Sequence, residues 1–186
     1  MLTDIARQFN WLDITFIILL IRICYIAQDK GALVEIFKVS GVLCGILLAF
    51  ENFNFLGAFI REKFSFSPEL LNALCFVALL IFGYFIFVVF RDLILRFVKR
   101  KEKLTSLDRI IALMLGAFRA SVIFSLLLLA LLLSGKENFR NDTKRSYLAA
   151  YFLELSPRAH SFIFNTIVKK IKPDFQANPI IQETLK

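Results

Sequence analysis

The chain has 186 residues, of which 58% are hydrophobic and only 20% charged; it carries 22 Phe and a formal charge of +8 at pH 7, and its mean hydropathy is +0.69. Disorder needs low hydrophobicity and a collagen-like chain needs abundant Gly and Pro, so both are excluded; a soluble enzyme of this size has too little interior for so much Leu, Ile and Phe. The positive balance suits either nucleic acid or an anionic membrane surface, and the apolar runs decide for the membrane.

Residues 11–28 are apolar apart from Asp13, Arg22 and a few neutral polar positions, and residues 32–50 are interrupted chiefly by Glu35 and Lys38. Neither is a charge-free run of 18 residues. The short polar turn QDKG at 28–31 joins them. We read two spans; a re-entrant hairpin is the alternative. Asp13 fits the first turn of its helix, with Asn10 as cap, where the helix dipole favours an anion. In the n-region Arg7 is accompanied by Asp4, and no clean small-x-small site follows, so residues 1–27 are expected to stay as a membrane helix rather than be cleaved as a signal peptide. Gly41 and Gly45 form a GxxxG, which predicts a close helix contact without naming the partner.

Residues 51–67 are aromatic and mixed in charge, and read as a loop or short interfacial helix. Residues 70–90 are 21 positions without a charge, about 31 Å as a helix, which matches the hydrocarbon core. Ser67, Pro68 and Glu69 mark the start of this helix, and the pattern runs on past Arg91, giving a span at about 69–92. The tetrapeptide TSLD at 105–108 reads as a capping box. The last span, 110–134, is interrupted only by Arg119. Residues 120–133 alone would be about 21 Å long, too short to cross, so Arg119 either sits inside the membrane or snorkels to its surface.

The expected fold is therefore all-α: an integral membrane bundle of about four transmembrane helices over residues 1–134, with a polar and amphipathic tail over 135–186. In that tail 135–145 is polar, and 146–155 is apolar-leaning and stopped by Ser156-Pro157. Ala159, Phe162, Ile163, Ile167 and Ile171 then mark one face of a short amphipathic helix with Lys169, Lys170 and Lys172 at its end. Little order is expected from residue 173 onward. Cys24, Cys44 and Cys75 have no CxxC or zinc spacing and read as small buried hydrophobes. His160 is the only histidine, so no metal and no cofactor is expected.

The segment 91–109 holds seven Lys/Arg and three Asp/Glu, whereas 51–67 holds only Arg61 and Lys63 as cations. The positive-inside rule makes the first cytoplasmic and the second external, with both termini outside. Lys136, Arg140 and Lys144 in the tail oppose this orientation, but the tail is long and long segments weigh least in the rule. Within the spans, two pairings are open for Glu35: Arg22 at similar depth across the hairpin, or Lys38 at i,i+3 on the same helix. Arg119 is available to join from the last span. Such charges mark either a path for an ion or solute, or ties between helices; ties are favoured, because each charge lies within about three or four turns of an interface.

Several of these residues line up with one family. NWLDITFIILL, then KGALVE with Glu35 four residues past Gly31, then Gly41, resemble the start of the colicin V production protein (CvpA) family. SLDRIIALMLGAFRA, with Asp108, Arg109, Gly116 and Arg119, resembles its motif ahead of the last span, and Leu155-Ser156-Pro157 resembles its closing signature. The chain departs from the family at Ala27, Ala112 and Ala120, where Gly is usual. The resemblance covers about residues 10–160 and implies a multi-pass protein of the bacterial inner membrane with about four spans. It further implies a role in production or export of the toxin colicin V and in envelope maintenance. No catalytic residue carries over; Asp13, Gly31, Glu35, Gly41, Asp108, Arg109, Gly116 and Arg119 carry over as motif positions of unknown role.

Three function classes follow. The first is a non-enzymatic accessory protein whose partners are the lipid bilayer and membrane or export-machinery proteins. The second is a small channel or transporter using the intramembrane charges, which with only four helices requires a homo-oligomer. The third, an intramembrane enzyme, lacks an HExxH, and its one carboxylate pair, Asp13 and Asp108, occupies helix starts on opposite faces of the membrane. A nucleic-acid role is not expected, since FVKRKEK is short and follows a span.

Overall fold

The structure, a computed structural model, describes residues 10–63, 67–97 and 104–171. Four long helices dominate: α1 (Trp11–Lys30), α2 (Ala32–Arg61), α3 (Pro68–Phe97) and α4 (Ser106–Leu133). Each contains a stretch long and apolar enough to cross a membrane. Shorter helices follow: α5 (Glu137–Arg145), α6 (Ala149–Phe152) and α7 (Leu155–Ile163), the last continuing through a π-helical turn (Phe164–Val168) into α8 (Lys169–Ile171). No strand occurs among the described residues.

Between α1 and α2 only Gly31 is non-helical, at φ 81° and ψ 168°. A side chain is strained at positive φ, so glycine permits this reversal in a single residue. The turn is thus shorter than the four-residue QDKG segment. At its other end α2 runs on to Arg61 where a loop or short interfacial helix was expected. No proline interrupts 51–61, and Asn52 Nδ2 donates back to the Leu48 carbonyl at 3.0 Å, one turn earlier.

Helices α2 and α3 pack along most of their length, α1 packs mainly on α4, and α4 also touches α2 and α3. The backbones of α2 and α3 approach closely at Gly45. A Cβ added there would stand 2.9 Å from the Leu80 carbonyl oxygen, and one added at Gly83 would stand 2.6 Å from Gly45 Cα. The partner of the GxxxG is therefore α3, through its own glycine. The main core lies among α2, α3 and α4 and includes Ile46, Phe50, Phe53, Phe76, Val122 and Leu129. A second core joins Leu12 and Phe16 of α1 to Phe124 and Leu128 of α4 and to Ala149. Outward-facing Ile18, Ile21, Ile81, Phe82 and Phe85 are exposed, as suits side chains against acyl chains.

The tail docks on the bundle at the end where α1 begins. Segment 135–145, read only as polar, contains α5. Pro157 lies in the first turn of α7, where a missing N–H costs nothing, rather than ending structure. The buried positions of this segment are Ser156, His160, Ile163 and Phe164, whereas Phe162 is exposed, so the expected apolar face is rotated. Ser156 and His160 turn inward because they have polar partners there. Side chains of Ile167 and Ile171, and everything from residue 172 onward, lie outside the described residues, as do residues 1–9 and 98–103.

Candidate functional site

Two polar constellations are built into the bundle, one at each end. The first surrounds Glu35, which is fully buried. Lys38, one helical turn along α2, donates to Glu35 Oε1 at 2.5 Å. Arg119 of α4 brings Nη2 to 2.9 Å from Glu35 Oε2. This contact is an ion pair without an aligned hydrogen bond, and Arg119 Nε has no hydrogen-bond partner among the described residues. Arg119 is only 7% exposed, so it sits within the bundle and does not snorkel out.

Arg22 does not reach Glu35. It is exposed on α1 and forms no ion pair among the described residues, because α1 leans on α4 and touches α2 only lightly. It instead lines a cavity of about 570 Å³ with Lys38, Arg119, Tyr84 and the apolar Ile18, Leu19, Ile23 and Ile26 of α1. A second cavity of about 580 Å³, between α3 and α4, is almost wholly apolar and shares Tyr84 and Arg119 with the first.

Between this constellation and the hairpin tip the helices approach closely. A Cβ at Gly116 would stand 2.8 Å from that of Ala27, and Ala27, Ala112 and Ala120 are all fully buried. Gly41 faces Tyr84 and Phe87 of α3. Thr105 makes no side-chain cap, so the capping box expected at 105–108 does not form. Asp108 reaches across to α2, where its Oδ1 accepts the Ala32 N–H at 3.2 Å. The physical reason is Gly31: it sits at the N-cap of α2 and has no side chain to satisfy the first amides. Arg109 is exposed.

The second constellation is centred on Asp13, which is fully buried. Its Oδ2 accepts the Asn10 N–H at 2.7 Å in a capping box for α1. Its Oδ1 accepts the Ser146 hydroxyl at 2.7 Å and the Leu148 N–H at 2.9 Å. Trp11 Nε1 donates to Asp142 Oδ2 at 2.8 Å, so the start of α1 is stitched to the tail at several points. Ser125 of α4 accepts the Ser156 N–H at 2.9 Å, and the two hydroxyls are also 2.9 Å apart. His160 Nε2 lies 2.9 Å from Glu51 Oε1, and the imidazole stacks on Phe50 at 4.7 Å. Burial pushes the His160 pKa below its ordinary value of 6.5, against the opposing pull of Glu51.

Sequence reasoning missed the roles of Ser125, Ser146, Glu51 and His160. Their partners are distant in the chain, and a single serine or histidine carries no spacing signal. Cys75 is buried, whereas Cys24 and Cys44 are half-buried. Among the described residues no three His, Cys, Asp or Glu side chains are grouped so as to hold a metal ion.

No curated protein and no solved structure gives a significant match to the chain. Residues 12–157 match the family model described as colicin V production protein.

Proposed function

The chain belongs to the colicin V production protein family, and we propose that it serves as a non-enzymatic accessory protein of the bacterial inner membrane, supporting toxin export and envelope maintenance. The observation that carries this reading is the engagement of Glu35. Its fully buried carboxylate is shared by Lys38 on its own helix and Arg119 on another. A carboxylate held by cations from two helices ties those helices together, since removing it would leave two buried cations uncompensated at high cost. The docked tail adds a surface at the end of the bundle opposite the end of α3 and the start of α4, which flank the basic stretch of the sequence. By the positive-inside reading that surface faces away from the cytoplasm, where envelope or export partners are met.

The test is deletion of the gene in its native host, together with capture of the tagged full-length protein in mild detergent after cross-linking in living cells. Recovery of a membrane or export protein and increased envelope permeability are expected. Neither partner nor permeability change would overturn the reading. A second reading, an oligomeric channel or transporter, is favoured by the three cations around one cavity. Liposome flux that is unchanged by Glu35→Gln and Arg119→Gln would reject it.

A further inference from the structure

We propose that the cavity bounded by Arg22, Lys38 and Arg119 binds the phosphate headgroup of an anionic lipid, whose acyl chain lies against the isoleucines of α1. This site is independent of the accessory role. Charge balance is the first argument. Three cations face one cavity, and Glu35, the carboxylate paired with them among the described residues, is already engaged by Lys38 and Arg119. Counting Glu35 as −1 leaves a local charge of +2 inside a low-dielectric medium, which favours capture of an anion. The unfilled donor is the second argument. The Arg119 side chain is more than nine-tenths buried, it forms part of the cavity wall, and its Nε has no hydrogen-bond partner among the described residues. Guanidinium groups match phosphate oxygens in a bidentate fork.

Shape selects an amphiphile. The remaining wall is mostly apolar, with Ile18, Ile23 and Ile26 beside Arg22. Helices α1 and α3 make no extended contact with each other, so the cavity opens toward the bilayer between them. Arg22 stands eight residues before Lys30 and Lys38 eight after it. Both cations therefore lie about 12 Å from the turn, toward the end of the bundle where α3 ends and α4 begins. A lipid drawn in from that leaflet can place its phosphate among the three cations.

The experiment is native mass spectrometry of the purified full-length protein in dodecyl maltoside, offered equimolar phosphatidylglycerol and phosphatidylcholine of the same acyl chains. Retention of phosphatidylglycerol over phosphatidylcholine by about tenfold is expected, an affinity difference of the size one good ionic contact gives. Arg22→Gln should reduce that preference severalfold, and Arg22→Gln with Lys38→Gln should abolish it. Arg22 has no ion-pair partner among the described residues, so the single variant should keep its melting temperature and decides the matter if the double variant misfolds. Equal retention of the two lipids, or a preference that Arg22→Gln leaves unchanged, overturns the proposal. If excess inorganic phosphate displaces the lipid, the phosphate site stands and its ligand is the soluble anion.

Discussion

Asp108 caps a helix other than its own: its Oδ1 accepts the N–H of Ala32, 76 residues away in the chain, at 3.2 Å. Because Gly31 offers no side chain, this one carboxylate both anchors the start of α2 and fixes α4 to the hairpin tip. Asp108→Ala should lower stability by about 0.5–2 kcal/mol, the usual cost of a lost N-cap. Asp108→Asn keeps an acceptor and should cost less. Thermal unfolding in mild detergent checks both, and an unchanged transition in Asp108→Ala would remove the cap from the account.

Gly45 and Gly83 let α2 and α3 touch backbone to backbone. A methyl at Gly45 would press on the Leu80 carbonyl oxygen, which belongs to a helix backbone and cannot swing away. Gly45→Val should therefore cost about 1–3 kcal/mol, as overpacking does elsewhere. At Gly41 the nearest atom is Phe87 Cβ at 3.0 Å, and Gly41→Ala should be milder. Comparing the melting temperatures of the two variants tests this order.

Asp13 holds the tail through Ser146 and Leu148. Asp13→Ala leaves a buried hydroxyl and amide without their acceptor, a loss of about 1–3 kcal/mol for each group so stranded. The expected result is local release of the tail, seen as faster proteolysis within 137–154 while the helices at 11–61, 68–97 and 106–133 stay protected in detergent. Equal cleavage rates in the variant and the parent would show that the tail is held by other contacts.

His160 makes that docking sensitive to acid. Its folded pKa is depressed by burial below the ordinary 6.5, so between the two values the released segment binds more protons than the docked one. Stability of the docked state then rises with pH and is lost as pH falls through about 6.5 and below. Tail protection measured by hydrogen exchange should weaken from pH 7 to pH 5, and His160→Gln should flatten the dependence.

Much of the bundle was legible because lipid imposes a simple rule on a spanning helix. The charge-free run at 70–90 and the interrupted runs before and after it could satisfy their backbones only as helices. Asp13 was legible as a capping residue, since a cap is local. Its bond to Ser146 was not, because it joins residues 133 positions apart. The capping box at 105–108 was a local pattern overridden by a stronger demand elsewhere, the uncapped start of α2. Arg22 and Glu35 have matching depth across a hairpin, but depth does not fix the rotation of α1, and α1 turned toward α4. The face of α7 was misread for a related reason: buried Ser156 and His160 have distant polar partners, which hydropathy alone scores as exposed.

Glu35 and Arg119 join α2 to α4 through a buried ion pair, and a double-mutant cycle on that pair measures the tie most directly. Glu35→Gln, Arg119→Gln and the double variant would be unfolded in the same mild detergent. Glu35→Gln should cost about 3–5 kcal/mol, because it strands two buried cations, and Arg119→Gln should cost less, because Glu35 keeps Lys38 as its partner. The double variant should cost less than the sum by about 1–3 kcal/mol, the range seen for directly contacting residues. Strictly additive costs would contradict the tie and return these charges to the role of a path through the membrane.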